Sequence, residues 1–223
     1  MTAVGNSGPG PKVRACLVDV YETLFRYDFA AHGDRLAALA GADVAVWARA
    51  QIAMARDYDL GRLTPRAALL RILDGCGIAP GKDLVAELVA ADEKFFAVDG
   101  GLYDDAIPFL RAVRDLSVKV VLVSNCGADT RPMLTRLEVL PLADEAILSC
   151  EIGHAKPDRE IYVRALDAVG VSAEDAVFVD DQPSYCEGAL AVGIRPIQIA
   201  RYGQPRDPRY GQVSTLAAIP ALL

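Results

Sequence analysis

Five short apolar runs, rich in Val and Ile, alternate with longer helical patterns along this chain. The runs are continuous rather than alternating in polarity, which is typical of strands buried on both faces of a parallel sheet. In order they are RACLVDV, VKVVLVSN, EAILSC, AVFVDD and IRPIQIA. The helical patterns that separate most of them are DDAIPFLRAVRDL, TRPMLTRLEVL, PDREIYVRALDAVG and QPSYCEGALAVG. The alternation predicts an α/β fold built on a parallel five-stranded sheet.

The long segment between the first and second strands follows a different pattern. From Asp28 to Gly101 it is rich in Ala and Leu at helical spacing, with breaks at Gly41, LTP and GCGIAPG. It is too long to be one crossover helix. We therefore predict an inserted helical domain, hinged near Tyr27 and Gly100–Gly101. The predicted division is a flexible tail over 1–12, a core formed by 13–27 and 102–223, and the helical insert over 28–101.

Composition narrows the function classes without choosing one. The 223 residues are 52% hydrophobic and 24% charged, which is typical of a soluble globular protein. The net charge of −7 without a basic stripe argues against a nucleic-acid partner. No apolar run approaches about 18 residues, so no membrane span is expected. The N-terminal sequence MTAVGNSGPGPK does not resemble a signal peptide. We expect a cytoplasmic protein, either monomer or homodimer.

The five cysteines are scattered and lack CxxC spacing. We expect reduced thiols and no zinc site. His32 and His154 also lack the spacing of metal ligands. The five cysteine positions are Cys16, Cys76, Cys126, Cys150 and Cys186.

Polar side chains stand at the ends of the predicted strands. Asp19 ends the first strand, Ser124–Asn125 the second and Asp180–Asp181 the fourth, while Lys156 follows the third strand after a short loop. Ligands of an open parallel sheet bind beyond the carboxyl ends of its strands. These groups are therefore expected to converge at one edge, although each could separately be only a helix cap, a turn former or a surface charge.

The chemistry of this set favours phosphate and a divalent cation. A carboxylate nucleophile such as Asp19 divides a difficult hydrolysis into two displacements through a covalent intermediate. Lys156 would hold Asp19 and the substrate anion, and Ser124 would donate a hydrogen bond to that anion. Asp180, with Asp181 as a possible partner, would bind Mg²⁺ together with Asp19. Without a cation, several carboxylates would repel a phosphate strongly.

Four stretches, in order, resemble the motifs of the haloacid dehalogenase (HAD) superfamily. They are LVDVYETLF, LVSN, AKPDREIY and VFVDDQPSYCEGA. The resemblance covers about two thirds of the chain and implies a Rossmann-like core, with the helical insert as a cap over a small anionic substrate. It also implies that the backbone carbonyl of Tyr21 joins the metal ligands. Residues expected to contact or support the substrate are Tyr21, Thr23 and Asn125, with Arg49, Arg56 and Tyr58 as cap candidates.

Tyr21 separates two branches of that superfamily. HAD phosphatases carry an Asp there as the acid–base group, whereas a phenol with an ordinary pKa near 10 shuttles protons poorly at neutral pH. The 2-haloacid dehalogenases carry Tyr, since halide leaves without a proton, so DVYETLF resembles their first motif, with Glu22 where Gly is usual. Their cap places an Arg directly after a Trp. Here Ala48 follows Trp47, and Arg49 is a weak substitute, turned about 100° around the helix.

The fourth motif favours the phosphatase branch. Dehalogenases need no metal and have a Ser-Ser-Asn stretch there, whereas this chain has Asp180, Asp181 and Gln182. We therefore rank three hypotheses. The first is Mg²⁺-dependent hydrolysis of a small phosphorylated metabolite, slow or atypical because of Tyr21. The second is 2-haloacid dehalogenation, and the third is a binding role without catalysis.

Overall fold

The computed structural model describes residues 13–96, 100–203 and 206–223. The tail predicted over 1–12 lies outside these residues. The strands are β1 (Ala15–Val18), β2 (Phe25–Arg26), β3 (Gly101–Leu102), β4 (Lys119–Ser124), β5 (Glu145–Leu148), β6 (Ala176–Asp180), β7 (Arg195–Ile199) and β8 (Gly211–Val213). Six of them form one sheet in the order β5-β4-β1-β6-β7-β8. All its neighbouring strands are parallel, which confirms the predicted fold class.

The predicted count of five strands is wrong by one, because β8 extends the sheet beyond β7. Its sequence GQV is short and polar and carries no apolar signal. The run EAILSC also stops early as a strand, since Ser149 begins a short helix.

The central strands are apolar throughout because both faces of the sheet are covered. Cys16 and Val18 of β1 face one hydrophobic cluster, while Ala15 and Leu17 face a second. Helices complete a three-layer core on both sides. They are α5 (Ala106–Asp115), α6 (Thr130–Arg136), α7 (Ser149–Ile152), α8 (Arg159–Val169) and α9 (Pro183–Ala191), following the cap helices in chain order.

In the described part of the chain, four α-helices occupy the segment between β2 and β3, and we refer to them as the cap. They are α1 (Phe29–Ala40), α2 (Val44–Asp59), α3 (Pro65–Gly75) and α4 (Lys82–Lys94). Between residues 28 and 100, the described part of the chain contains no strand. The apolar faces of these helices pack on one another around Trp47 and Leu73. The chain enters and leaves the cap through β2 and β3, which pair antiparallel.

Residues at the predicted breaks end or begin the cap helices. Gly41 ends α1 in the left-handed conformation, with φ of 67°, which glycine adopts without strain. Thr64 caps α3 by accepting a hydrogen bond from the Ala67 N–H, and Pro65 follows at the first helical position. In the described residues no single helix is long and apolar enough to cross a membrane; α1 and α2 together pass that test of length and composition, with a 117° bend between them.

Candidate active site

Three aspartates meet where the central strands of the sheet end. Asp19 directly follows β1, and Asp180 and Asp181 lie at the end of the neighbouring strand β6. Each offers a carboxylate oxygen, and these oxygens lie within 4.8 Å of one another. Asp180 is fully buried and Asp19 is 5% exposed. The parallel topology thus gathers residues that are 161 positions apart in the chain, as counted from Asp19 to Asp180.

Lys156 supplies the positive charge at the centre of this cluster. Its Nζ donates to Asp19 Oδ1 and to Asp180 Oδ2, each at 2.6 Å. The side chain is 1% exposed, and the ammonium lies 4.7 Å from the centre of the Tyr185 ring. A buried ammonium between two carboxylates holds both in a defined orientation.

Asn125 holds the Lys156 backbone in place. Its Nδ2 donates to the Lys156 carbonyl at 2.9 Å, and its Oδ1 accepts from the Lys156 N–H at 2.7 Å. The same Nδ2 donates to the Tyr185 hydroxyl at 3.2 Å. Asn125 follows β4 directly, so the amide ties the strand end to the loop that carries the lysine. This positioning contact could not be read from the sequence, which suggested an anion contact.

Burial and charge shift the pKa values in this cluster. Burial raises the pKa of both Asp19 and Asp180, and the Lys156 ammonium opposes that rise. Burial alone would lower the pKa of Lys156, but Asp180 and Asp19 outweigh it and hold the pKa above its usual value. Burial and then the charge of Asp19 raise the pKa of Asp181 to about 7. Three carboxylates therefore lie around one ammonium, which contacts Asp19 and Asp180, and the cluster favours additional positive charge.

The residues fit a divalent cation. Asp181 Oδ1 is buried and has no hydrogen-bond partner among the described residues. In contrast, both oxygens of Asp180 are engaged, Oδ2 by Lys156 and Oδ1 by the Gln182 N–H at 2.8 Å. An all-oxygen donor set is the one that Mg²⁺ prefers. Asp181 and Asp19 are thus the carboxylates best placed to hold it, while the Tyr21 carbonyl and Asp180 stay predicted ligands.

Tyr21 is a fixed, neutral phenol. Its hydroxyl lies 2.7 Å from Thr130 Oγ1, and its ring packs against Tyr27 at a centroid distance of 5.3 Å. Burial raises its pKa well above the ordinary value near 10. The phenol therefore stays protonated at neutral pH and cannot act as the base.

Glu22 follows Tyr21 in the left-handed conformation, with φ of 56°. This conformation explains why glycine is usual at that position, since a side chain there is strained. The Glu22 carboxylate accepts hydrogen bonds from the Tyr27 N–H and from the Tyr103 hydroxyl. These contacts offset part of the strain.

A cavity of about 400 Å³ opens beside Asp19, between the core and the cap. Asp19, Asn125, Lys156 and Asp181 line one end of it. Six rings form what we call the aromatic wall: Tyr21, Tyr27, Phe29, Tyr58, Phe96 and Tyr185. Tyr58 of α2 approaches the core closely, since a Cβ added at Gly127 would lie 2.1 Å from its ring. The cap therefore forms part of the cavity wall. The volume and lining of the cavity suit a small ligand.

Several predicted site residues do not line this cavity. Ser124 is fully buried, and its Oγ lies 3.4 Å from the Asn125 carbonyl oxygen. Thr23 is also buried, and its hydroxyl donates to Asp19 Oδ2 at 3.4 Å, so it supports the nucleophile candidate rather than a ligand. Arg49 is exposed on α2. Arg56 joins the cap to the core through an ion pair with Asp158 at 2.7 Å.

Most residues of the cavity wall were not predicted from the sequence. Asp59, Asp129 and Gln182 line the cavity along with Tyr27, Phe29 and Phe96. Asp59 ends α2 and Asp129 precedes α6, and a carboxylate at a helix end is ordinarily solvated. Of the three cap candidates, Tyr58 alone lines the cavity in the part of the chain that the structure describes.

A family model described as haloacid dehalogenase-like hydrolase matches residues 13–193. The chain belongs to this family. The match spans the cap, all four motifs and the core as far as residue 193, just before β7, and the predicted resemblance is confirmed at this level. The chain is therefore a hydrolase of the HAD superfamily.

Relatives of this HAD hydrolase fall in both branches. A phosphatase of Mycobacterium tuberculosis is 36% identical over an alignment that covers 60% of this chain and 61% of that protein, which is less than two thirds of its length. An (S)-2-haloacid dehalogenase of Pseudomonas sp. is 28% identical over 95% of this chain and 96% of that one. The solved structure of a HAD phosphatase from Thermococcus onnurineus has a TM-score of 0.69 at 21% identity, with 94% and 97% of the two chains covered. Similarity alone does not separate phosphatase from dehalogenase.

Proposed function

We propose that this HAD hydrolase is a Mg²⁺-dependent phosphatase that acts on a small phosphate monoester, with Asp19 as the nucleophile. The observation that carries the proposal is the buried Oδ1 of Asp181 beside Asp19, which has no hydrogen-bond partner in the described part of the chain. A buried carboxylate oxygen without a partner is costly unless a cation completes it. Dehalogenation has no use for such a group, because a haloacid brings a carboxylate of its own.

The cavity lining supports the same choice. Within the described residues, no arginine lines the cavity, and Lys156 is its single cation. Lys156 is already shared by Asp19 and Asp180. A haloacid carboxylate would therefore lack a positive partner, whereas a bound Mg²⁺ would supply the charge that lets a phosphate dianion lie beside Asp19.

The chain's own residues define the two steps. Lys156 holds Asp19 Oδ1 at 2.6 Å, and Oδ2 accepts a long hydrogen bond of 3.4 Å from the Thr23 hydroxyl. A carboxylate oxygen of Asp19 attacks phosphorus, the bond to the leaving oxygen breaks, and an aspartyl phosphate forms. Water then attacks phosphorus, releasing inorganic phosphate and restoring the Asp19 carboxylate. Asn125 holds the Lys156 backbone in position through both steps.

Tyr21 limits which esters react quickly. Since its phenol is held by Thr130 and stays neutral, the leaving oxygen departs without an efficient proton donor. A missing general acid lowers rates by about 10²–10⁴-fold. Phenyl esters, whose leaving groups are stable as anions, should therefore react faster than alkyl esters.

One assay separates the candidate functions. The protein is incubated with para-nitrophenyl phosphate and with 2-chloropropionate, each with Mg²⁺ or with EDTA, and phosphate and chloride are measured. We expect phosphate release that EDTA abolishes and that Asp19→Asn removes. Asp181→Asn should raise the Mg²⁺ concentration needed for half-maximal rate. Failure to release phosphate, with or without Mg²⁺, would refute the proposal and favour a binding role.

Dehalogenation is the second candidate, favoured by the alignment with the Pseudomonas dehalogenase over nearly both whole chains. Tyr21 is consistent with it. Chloride release that is indifferent to EDTA would establish this alternative and exclude the phosphatase.

A further inference from the structure

The aromatic wall continues from the nucleophile into the cap. Tyr27 and Phe96 stack with ring centroids 5.7 Å apart. A smaller cavity of about 90 Å³ within the cap shares part of this lining, namely Tyr27, Phe29, Tyr58, Asp59 and Phe96. Phe29 is 42% exposed, although it is large and apolar. Rings arranged around an open cavity favour a flat apolar group, and their faces also attract cations.

Two carboxylates share the cavity with these rings and lack a cationic partner. Asp59 makes no hydrogen bond or ion pair within the part of the chain that the structure describes, and burial raises its pKa to about 6. The cations that influence it, Lys156 and Arg56, are each paired with other carboxylates. Among the residues that the structure describes, the Asp129 side chain accepts a single long hydrogen bond, of 3.5 Å from Tyr58. Both carboxylates can therefore receive a positive group.

The charge of the whole lining points the same way. Among the described residues, the cavity is lined by one ammonium and five carboxylates: Asp19, Glu22, Asp59, Asp129 and Asp181. The Glu22 carboxylate accepts from two neutral donors, the Tyr27 N–H and the Tyr103 hydroxyl. Even with a divalent cation counted beside Asp19, a phosphate dianion leaves the site strongly negative. A leaving group that bears a negative charge would be repelled, and one that bears a positive charge would be attracted.

On the basis of the proposed phosphatase activity, we propose that the substrate is a phosphate monoester whose leaving group is an aromatic ring bearing an ammonium. The ring packs against the aromatic wall, and the ammonium lies on the acidic side of the cavity that Asp59 and Asp129 line. A ring also suits the neutral Tyr21, since a phenolate leaves without a proton. This ligand satisfies the apolar surface and the unpaired charge of the cavity together.

Three para-substituted phenyl phosphates test the inference. They carry an aminoethyl, a propyl or a carboxyethyl group, so that shape and leaving-group chemistry are similar while the remote charge is positive, zero or negative. We expect kcat/KM to fall in that order, with the aminoethyl ester favoured over the propyl ester by about tenfold or more. A ratio of one or less would overturn the inference.

Substitutions of the cavity carboxylates test which residues cause the preference for the aminoethyl ester. Asp59→Asn and Asp129→Asn should each reduce the aminoethyl-to-propyl ratio, while Asp57→Asn should keep it, since Asp57 lies in the same last turn of α2 but pairs with Arg62 outside the cavity. An unchanged ratio in both cavity variants would contradict the assignment. If a variant does not fold, inhibition of the wild type by tyramine and by para-propylphenol repeats the comparison, with tyramine expected to bind more tightly.

The outcomes also separate the two proposals. Release of phosphate from para-nitrophenyl phosphate with no preference for the aminoethyl ester refutes the inference and leaves the phosphatase proposal intact. If para-nitrophenyl phosphate itself releases no phosphate, both proposals are refuted.

Discussion

Replacing Asp59 with Asn should stabilise this protein at neutral pH. Asp59 lies half-buried at the end of α2, with a pKa raised by burial to about 6 from 3.8. The folded state thus binds the proton more tightly than the unfolded chain does. The unfolding free energy must then fall as pH rises from about 3.8 to about 6, and above that the full cost of the buried charge is present. Asn carries no charge, so the variant avoids this cost.

The size of the expected stabilisation follows from the pKa shift of Asp59. A change from 3.8 to about 6 corresponds to about 3 kcal/mol at 1.36 kcal/mol per pH unit. Solvent reaches part of the side chain and screens its charge, which reduces the expected gain to about 1–2 kcal/mol. The gain should be present at pH 7 and should vanish near pH 4, where Asp59 is protonated in the folded state.

Urea denaturation followed by Trp fluorescence measures this directly. Trp47 is the single tryptophan and is buried in the cap, so it reports unfolding of the domain that contains Asp59. Asp57→Asn is the matched control. Asp57 is in the same helical turn, but Arg62 lowers its pKa, so its removal should lose stability at pH 7. An Asp59→Asn variant no more stable than wild type at pH 7, or a gain in stability that persists unchanged at pH 4, would contradict the cost assigned to the buried Asp59 charge.

Three other substitutions test contacts near the site. Asn125→Ala removes both hydrogen bonds to the Lys156 backbone and should lower kcat by about 10²-fold, because a misplaced catalytic group loses its orientation. In steady-state assays Asn125→Asp should have an intermediate kcat. An unchanged kcat would contradict the positioning role of Asn125. Arg201→Met leaves Asp105 without its paired hydrogen bonds of 2.8 and 3.2 Å and should cost about 2–3 kcal/mol in urea denaturation. Adding Asp105→Asn should recover part of that loss, and no recovery would exclude the charge explanation. Tyr21→Asp should raise the hydrolysis of alkyl phosphates by about 10²-fold, whereas Tyr21→Asn should not; equal rates in the two variants would contradict the missing-acid account.

The strands and their polar ends were predictable because they follow from burial. A parallel strand covered on both faces must be apolar at every position, as β1 is, so it appears in the sequence as a continuous run. The first polar residue after such a run lies at the sheet edge. Asp19 and Asp180 could therefore be placed at one edge from sequence alone, and the structure brings them to the same ammonium of Lys156.

The edge strand β8 and the pairing of Asn125 with the Lys156 backbone could not be predicted in this way. β8 consists of three residues that are exposed or half-buried, so burial leaves no pattern in GQV. Asn125 pairs with the Lys156 backbone, and a backbone partner leaves no trace in side-chain identity. Both features depend on which segments the fold brings side by side.

Local patterns of burial and polarity along the chain were enough to predict the fold class, the helical insert and a set of charged residues at the strand ends. The different contacts of those residues depend on the folded arrangement, in which Asp180 binds Lys156 while Asp181 Oδ1 has no hydrogen-bond partner among the described residues. The same holds for Asp59 and Asp129, which line one aromatic cavity. Cap and core contribute these groups from distant parts of the chain, so their common charge and shape arise only when the two surfaces meet.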